Sequence, residues 1–299
     1  MTLPSSGLTP PRTRCTPPTR RPTTRIIRGP RECRRTFFGD MVAPYVWWRY
    51  STLMNTNTII AGDCLQILPA FPPESVDLVF ADPPFNIGYS YDVCKDCRPR
   101  DEYLAWVDRW LAECVRVLKP AGAICVAIDA ELAGRYQVKL EDAGLHYRNT
   151  VIWHYTFGPH LTAKFGRNHV PIFHFTRRRK RFTFNADAVR VASERQRVGD
   201  KRADPRGRVP GDVWEFPRVC GTFKERNEAG HNCQMPEKLL ERIISAFTNA
   251  GDVVLDPFTG TGTTPAVAKK LGRRWIGVEL SEDYAKAARE RCGGHETGR

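Results

Sequence analysis

Two periods of apolar residues alternate along this chain. Short, β-branched and apolar runs without breakers, at residues 58–62, 76–81, 123–128, 252–256 and 275–278, predict buried strands. Between them lie helical stripes. Tyr103, Val107, Trp110, Cys114 and Leu118, with Leu104, Leu111 and Val115 beside them, recur at helical spacing, which predicts a helix from Asp101 to about Leu118. Asp101 is its expected N-cap, and residues 119–122, with a proline and a glycine, are expected to end it. A second helix is predicted over about 131–143. A third begins at Pro236, with Leu239, Leu240, Ile243, Ile244 and Phe247 as its buried face, and a fourth covers 265–271. Strand followed by helix, repeated, is the order of an α/β fold with a doubly wound, mostly parallel sheet.

Two regions break that rhythm. Residues 1–54 carry eight prolines, many Thr and Arg, and no sustained apolar period, so they are expected to be a disordered basic tail. A DNA-tethering tail and a start codon placed too far upstream are both open readings of it. Residues 148–176 read as β, with 151–155 and 171–175 as cores. Residues 177–230 are then rich in Arg, Gly and Pro, with Phe182, Phe184, Trp214, Phe216 and Phe223 scattered among them. A further disordered tail is expected at 293–299.

Charge sharpens the second region. The net charge is +13 over 299 residues. Residues 1–54 hold ten Arg against two acids, and residues 161–230 hold seventeen Lys and Arg against eight, so the remainder is net acidic. A basic middle segment in an acidic body predicts a polyanion-binding surface, with Arg177, Arg178, Arg179, Lys180 and Arg181 as its densest run. A solvated turn is the plainer account of that run. Ten cysteines at irregular spacing predict reduced thiols in a cytoplasmic protein rather than a disulfide scaffold. The single C-x-x-C pair, Cys94 and Cys97, lacks a second pair, and no metal site is expected.

The candidate chemistry sits at two strand ends. Asp82-Pro83-Pro84-Phe85 follows the run 76–81, and two prolines stop a strand and stiffen its exit. A carboxylate and a ring locked three positions apart suit a flat substrate with an exocyclic amine. The second stretch, Asp256 through Thr264, joins a strand to a helix and carries the paired glycines Gly260 and Gly262. Such glycines let a backbone approach a ligand closely, with free N–H groups at the helix start. Glu279 ends the next strand nineteen residues after Gly260, where an acid can accept ribose hydroxyls. No Lys follows Gly262, which argues against a P-loop, and Pro265 stands where a dinucleotide fold needs its third glycine. Adenosine without a pyrophosphate fits better, and S-adenosyl-L-methionine is the expected cofactor.

Together, Asp82-Pro-Pro-Phe and Asp256-Pro-Phe-x-Gly-x-Gly-Thr resemble the amino-methyltransferases of DNA, which modify adenine N6 or cytosine N4. With the catalytic loop first and the cofactor loop last, the order resembles their circularly permuted β-group. The stretch from His231 to Ile244 resembles the segment that precedes the cofactor loop there, with Asn232 where that segment usually has Pro. The resemblance covers about residues 57–292 and implies a Rossmann-like methyltransferase fold. Residues 57–160 would be its catalytic half, 161–230 an inserted target-recognition region and 231–292 its cofactor-binding half.

The resemblance also implies roles. Asp82 and the Pro83 carbonyl accept the N–H bonds of the target amine, with Pro84 stiffening the loop and Phe85 stacking on an extruded base. Phe258, Gly260 and Gly262 line the methionine end of the cofactor, with Asp256 and Thr263 in the same loop, and Glu279 binds its ribose. Asp63 either reaches the adenine amine or caps the short turn 64–68. Double-stranded DNA is the implied substrate, in a bacterial, archaeal or phage context. A restriction endonuclease partner and a homodimer are left open. Asp at position 82 leans towards adenine N6. Competing readings are cytosine-N4 methylation, an RNA or protein-amide methyltransferase, and a non-catalytic DNA-binding relative.

Overall fold

The computed structural model describes residues 54–88, 96–156, 161–219 and 234–293. The expectations for residues 1–53, Cys94, Phe223, His231, Asn232 and 294–299 lie outside them. The first strand, β1 (Thr58–Ala61), leads through a short helix α1 (Cys64–Ile67) to β2 (Val76–Ala81). Then come α2 (Arg100–Val117), β3 (Leu118–Ala127), α3 (Ala133–Asp142), and the strands β4 (His146–His154) and β5 (His169–Thr176). After a helical turn α4 (Glu194–Arg197) and a short β6 (Val213–Glu215), the chain closes with α5 (Glu237–Phe247), β7 (Val253–Asp256), α6 (Thr263–Lys270), β8 (Arg274–Glu279) and α7 (Glu282–Arg291).

Among the described residues, eight strands form one sheet in the order β1-β8-β7-β2-β3-β5-β4-β6, and only β5 of these runs against the others. Successive residues of β2 face opposite ways, as a strand's pleat requires. Leu78 and Phe80 join the core under α5, α6 and α7, whereas Val79 and Ala81 join the core under α2 and α3. The helix after β2 therefore lies on one face and the helix after β7 on the other, although β2 and β7 are neighbours. Such a switch point opens a crevice at the carboxyl ends of the two strands, and that is where open α/β sheets bind ligands.

Three expectations are corrected. Asp101 is not the N-cap of α2; Pro99 holds that position with an extended backbone, and Asp101 lies in the first turn, where its charge suits the helix dipole. Residues 119–122 do not form a loop after the helix. They bulge within β3, where a side chain on Gly122 would meet the Asp77 carbonyl at 2.8 Å. Nor is 161–230 a pure insertion: β5 is buried between β3 and β4, and β6 extends the sheet, because their apolar residues have partners on the strands beside them. Among the described residues of that span, 161–168, 177–212 and 216–219 stand outside the sheet.

Candidate active site

The crevice is a cavity of about 980 Å³ at the carboxyl edge of the sheet. It collects both halves of the candidate chemistry: Asp82, Pro83, Pro84 and Phe85 from the end of β2, Phe258 and Gly260 from the loop after β7, and Glu279 from the end of β8. Asp63 lines it as well, while one of its carboxylate oxygens accepts the Leu65 N–H at 2.9 Å and caps α1. The cap and the cavity wall are thus one residue.

The proline loop is held from behind. Tyr103, on the first turns of α2, donates its hydroxyl to the Pro84 carbonyl at 2.7 Å and shares a 2.7 Å hydrogen bond with the Tyr136 hydroxyl. Beyond Phe85 the chain turns through Asn86, whose backbone is left-handed (φ 59°). The Asn86 side chain exchanges two hydrogen bonds with the Arg98 backbone, donating to its carbonyl at 2.9 Å and accepting its N–H at 2.7 Å. Gly88 N–H donates to the Asp96 carbonyl at 2.6 Å, and the buried Asp96 carboxylate accepts the Ile87 N–H. A left-handed non-glycine residue persists only where its surroundings over-determine it, and these bonds do that. The loop is therefore preorganised on both sides of Phe85.

Electrostatics at the loop are unusual. Burial, and then the Asp256 carboxylate, push Asp82 up to about 8. Burial likewise pushes Asp256 up to about 7, although the Thr264 hydroxyl and the Phe258 N–H, at 3.0 Å, oppose that by bonding its charged form. Burial and the neighbouring carboxylate thus favour the neutral form of Asp82 in the cofactor-free protein. One oxygen still accepts, and a cation bound beside it favours the ionised form.

Glu279 stitches the nucleotide-type loop together. Its oxygens accept the Gly260 N–H at 2.8 Å and the Ser281 N–H at 2.9 Å. The same carboxylate lines the cavity, where a carboxylate can accept hydroxyl donors. Phe258 forms one wall with Trp106, ring centroids 5.5 Å apart, and the Arg98 guanidinium lies 4.9 Å over the Trp106 ring.

Other expected site residues are elsewhere. Gly262 does not face the cavity; it caps α6 in a left-handed conformation (φ 81°), and a Cβ there would meet Ala288 of α7 at 2.8 Å. Thr263 is buried and receives a hydrogen bond from Arg291 at 2.9 Å. Asp256 is buried beneath the loop rather than in the cavity wall. The run Arg177–Arg181 is the largest displacement. Because β5 is antiparallel to β3, its end lies at the amino edge of the parallel strands, about 25 Å from its start at the cavity. Arg177 there donates to the Leu118 carbonyl and pairs with Glu74 at 3.1 Å, while Arg148 takes the Arg178 and Arg179 carbonyls, each at 2.7 Å. The cations at the cavity are instead Arg98, Arg109, Lys164, Arg167 and Arg218. Sequence reasoning missed them and Tyr103, since a stripe residue and scattered cations carry no local signal of direction.

Among the described residues no group of three or more His, Cys, Asp or Glu could hold a metal ion, and no helix is long and apolar enough to cross a membrane.

A family model described as DNA methylase, for N6 and N4 enzymes, matches residues 76–290. The chain is 36% identical over 234 residues to the type II methyltransferase M.HpaI of Haemophilus parainfluenzae, covering 78% of this chain and 73% of that protein. It is 38% identical over 239 residues to the DNA adenine methyltransferase YhdJ of Escherichia coli (strain K12), covering 77% and 80%. Among solved structures it is similar to a DNA modification methylase of Thermus thermophilus, TTHA0409, complexed with S-adenosyl-L-methionine, with a TM-score of 0.54 at 26% identity over 79% of this chain and 93% of that one.

Proposed function

The chain belongs to the DNA methylase family of N6 and N4 enzymes, and from that premise we propose that it transfers a methyl group from S-adenosyl-L-methionine to adenine N6 in double-stranded DNA. One observation carries the reading: the cavity joins the proline loop to the glycine loop and Glu279, so amine acceptor and nucleoside-type site share one space. Adenine is preferred to cytosine because a relative at 38% identity is named an adenine methyltransferase, and Asp82 agrees with it. The type II name of M.HpaI favours a restriction endonuclease partner, which the sequence alone leaves open.

The donor set fits the cofactor. Glu279 would take the ribose, Gly260 would line its path, Phe258 and Trp106 would flank the methionine end, and Asp63 would offer an acceptor near the adenine. When bound, S-adenosyl-L-methionine supplies an electrophilic methyl group. The rest is positioning by this chain. An aromatic amine is a poor nucleophile because its lone pair is delocalised into the ring. Asp82 and the Pro83 carbonyl accept its two N–H bonds and favour a pyramidal nitrogen with its lone pair turned to the methyl group. Phe85 stacks on the extruded base, returning roughly 1–3 kcal/mol of the few kcal/mol that extrusion costs. Tyr103 fixes the loop by its bond to Pro84 and leaves the Pro83 carbonyl to the substrate.

Mass spectrometry of nucleosides from unmethylated DNA incubated with the protein and S-adenosyl-L-methionine tests this reading. N6-methyladenine is expected. N4-methylcytosine would move the activity to the other base, and unmodified nucleosides would overturn the proposal.

A further inference from the structure

The chain enters β5 through residues 161–168, a stretch at the cavity edge. Its base is closed by the Tyr155 N–H, which donates to the Asn168 carbonyl at 2.9 Å, and by the Asn168 amide against the His154 ring at 3.2 Å. Arg167 pins it to the loop after β3 through a salt bridge to the buried Asp129, whose other oxygen holds the Glu131 N–H at 2.8 Å. Beside this anchored base, Leu161, Lys164 and Phe165 line the cavity. Phe165 is 101% exposed, more than any other large apolar side chain among the described residues. Ile87, on the proline loop, also lines the cavity and is 62% exposed.

A phenyl ring wholly in water has no partner within its own fold. Its neighbours say what the partner is. Lys164 precedes it, Arg167 follows two residues later, and both line the cavity that holds Asp82 and Phe85. A polyanion carrying the substrate base must lie on this rim. When a base leaves a duplex to enter the cavity, its neighbours in the stack lose a π-surface, and apolar side chains are known to wedge into such gaps. Cations just before and after an aromatic residue in the chain suit a base stack bordered by phosphates.

We propose that Phe165 inserts into the duplex at the position vacated by the extruded base, with Lys164 and Arg167 gripping the flanking phosphates. The proposal rests on the DNA methylation reading above and names the residue that holds the duplex open. It makes Phe165 a positioning residue, remote from the reacting atoms.

The test uses the full chain saturated with S-adenosyl-L-methionine and native, unmethylated bacteriophage DNA. Single-turnover methyl transfer is measured for wild type, Phe165→Ala and Phe165→Trp, with filter binding of the same DNA over a salt series. Phe165→Ala should lower transfer by about tenfold to a hundredfold, the range a lost aromatic stack accounts for. Phe165→Trp should stay within about threefold of wild type, since a larger ring stacks at least as well. Both variants should keep the wild-type salt slope, because no phosphate contact is lost, and calorimetry should give wild-type cofactor affinity. Full exposure of the side chain means neither change removes packing. If Phe165→Ala is as active as wild type, or Phe165→Trp is as impaired as Phe165→Ala, the wedge is wrong. A wild type that transfers nothing to DNA overturns the methylation reading itself, and the wedge falls with it.

Discussion

Replacing Asp82 by Asn separates what this side chain costs the fold from what it does for the reaction. Burial and Asp256 hold the carboxyl at about 8, against about 3.9 for a free aspartate. Between those values the folded protein keeps a proton that the unfolded chain has released. Stability therefore falls as pH rises, by about 1.4 kcal/mol per unit for this one group, and levels off above pH 8. Asn at the same place carries no charge to desolvate. The unfolding free energy of Asp82→Asn minus that of wild type should thus grow by about 1.4 kcal/mol per pH unit, or roughly 4 kcal/mol between pH 4.5 and 7.5. Urea unfolding of the cofactor-free protein across that range measures it. A difference independent of pH would show that Asp82 is ionised in the cofactor-free protein and refute the burial argument. The same variant keeps a carbonyl acceptor but no basic oxygen. Single-turnover methyl transfer should remain measurable in Asp82→Asn and fall about a hundred- to thousandfold in Asp82→Ala, the cost of about 2.7–4 kcal/mol for one lost transition-state contact. Equal inactivity of both folded, cofactor-bound variants would mean that the charge itself is required.

Tyr103→Phe removes the hydroxyl that holds the Pro84 carbonyl, and a bond of about 0.5–1.5 kcal/mol is lost. Methyl transfer should slow by up to about tenfold while cofactor affinity, read by calorimetry, stays unchanged. Gly260→Val places a side chain at a left-handed residue (φ 53°) in the cavity wall, so S-adenosyl-L-methionine binding should be lost or sharply weakened; unchanged affinity in the folded variant would remove the cofactor site from this loop. Changing Lys164 and Arg218 to Ala should flatten the salt dependence of DNA binding by about 1.8 in log–log slope. Changing Arg178, Arg179, Lys180 and Arg181 to Ala should leave methyl transfer near wild type, and a loss equal to that of the rim cations would return DNA contact to the far edge of the sheet.

Read alone, the sequence determined the parts whose signal is local. The strands at 58–61, 76–81, 253–256 and 274–279 and the stripe of α2 follow from hydrophobic period. The two loops that carry Asp82 and Gly260 were legible too, because prolines and glycines act on the backbone where they stand. Direction was not legible. A basic run after a strand reads the same whether that strand is parallel or antiparallel. The reversal of β5 alone sends Arg177–Arg181 to the amino edge and brings Lys164 and Arg167, at its other end, to the cavity. Nor could spacing tell that Gly262 is small for the sake of Ala288 on α7, or that Tyr103 turns its hydroxyl to Pro84. Asp82 and Asp256 are far apart in the chain, and each alone is an ordinary carboxylate. The switch point between β2 and β7 brings them within electrostatic reach, Asp256 buried and Asp82 in the cavity wall, and desolvation, which depends on what surrounds a charge and not on its neighbours in sequence, then favours their neutral forms.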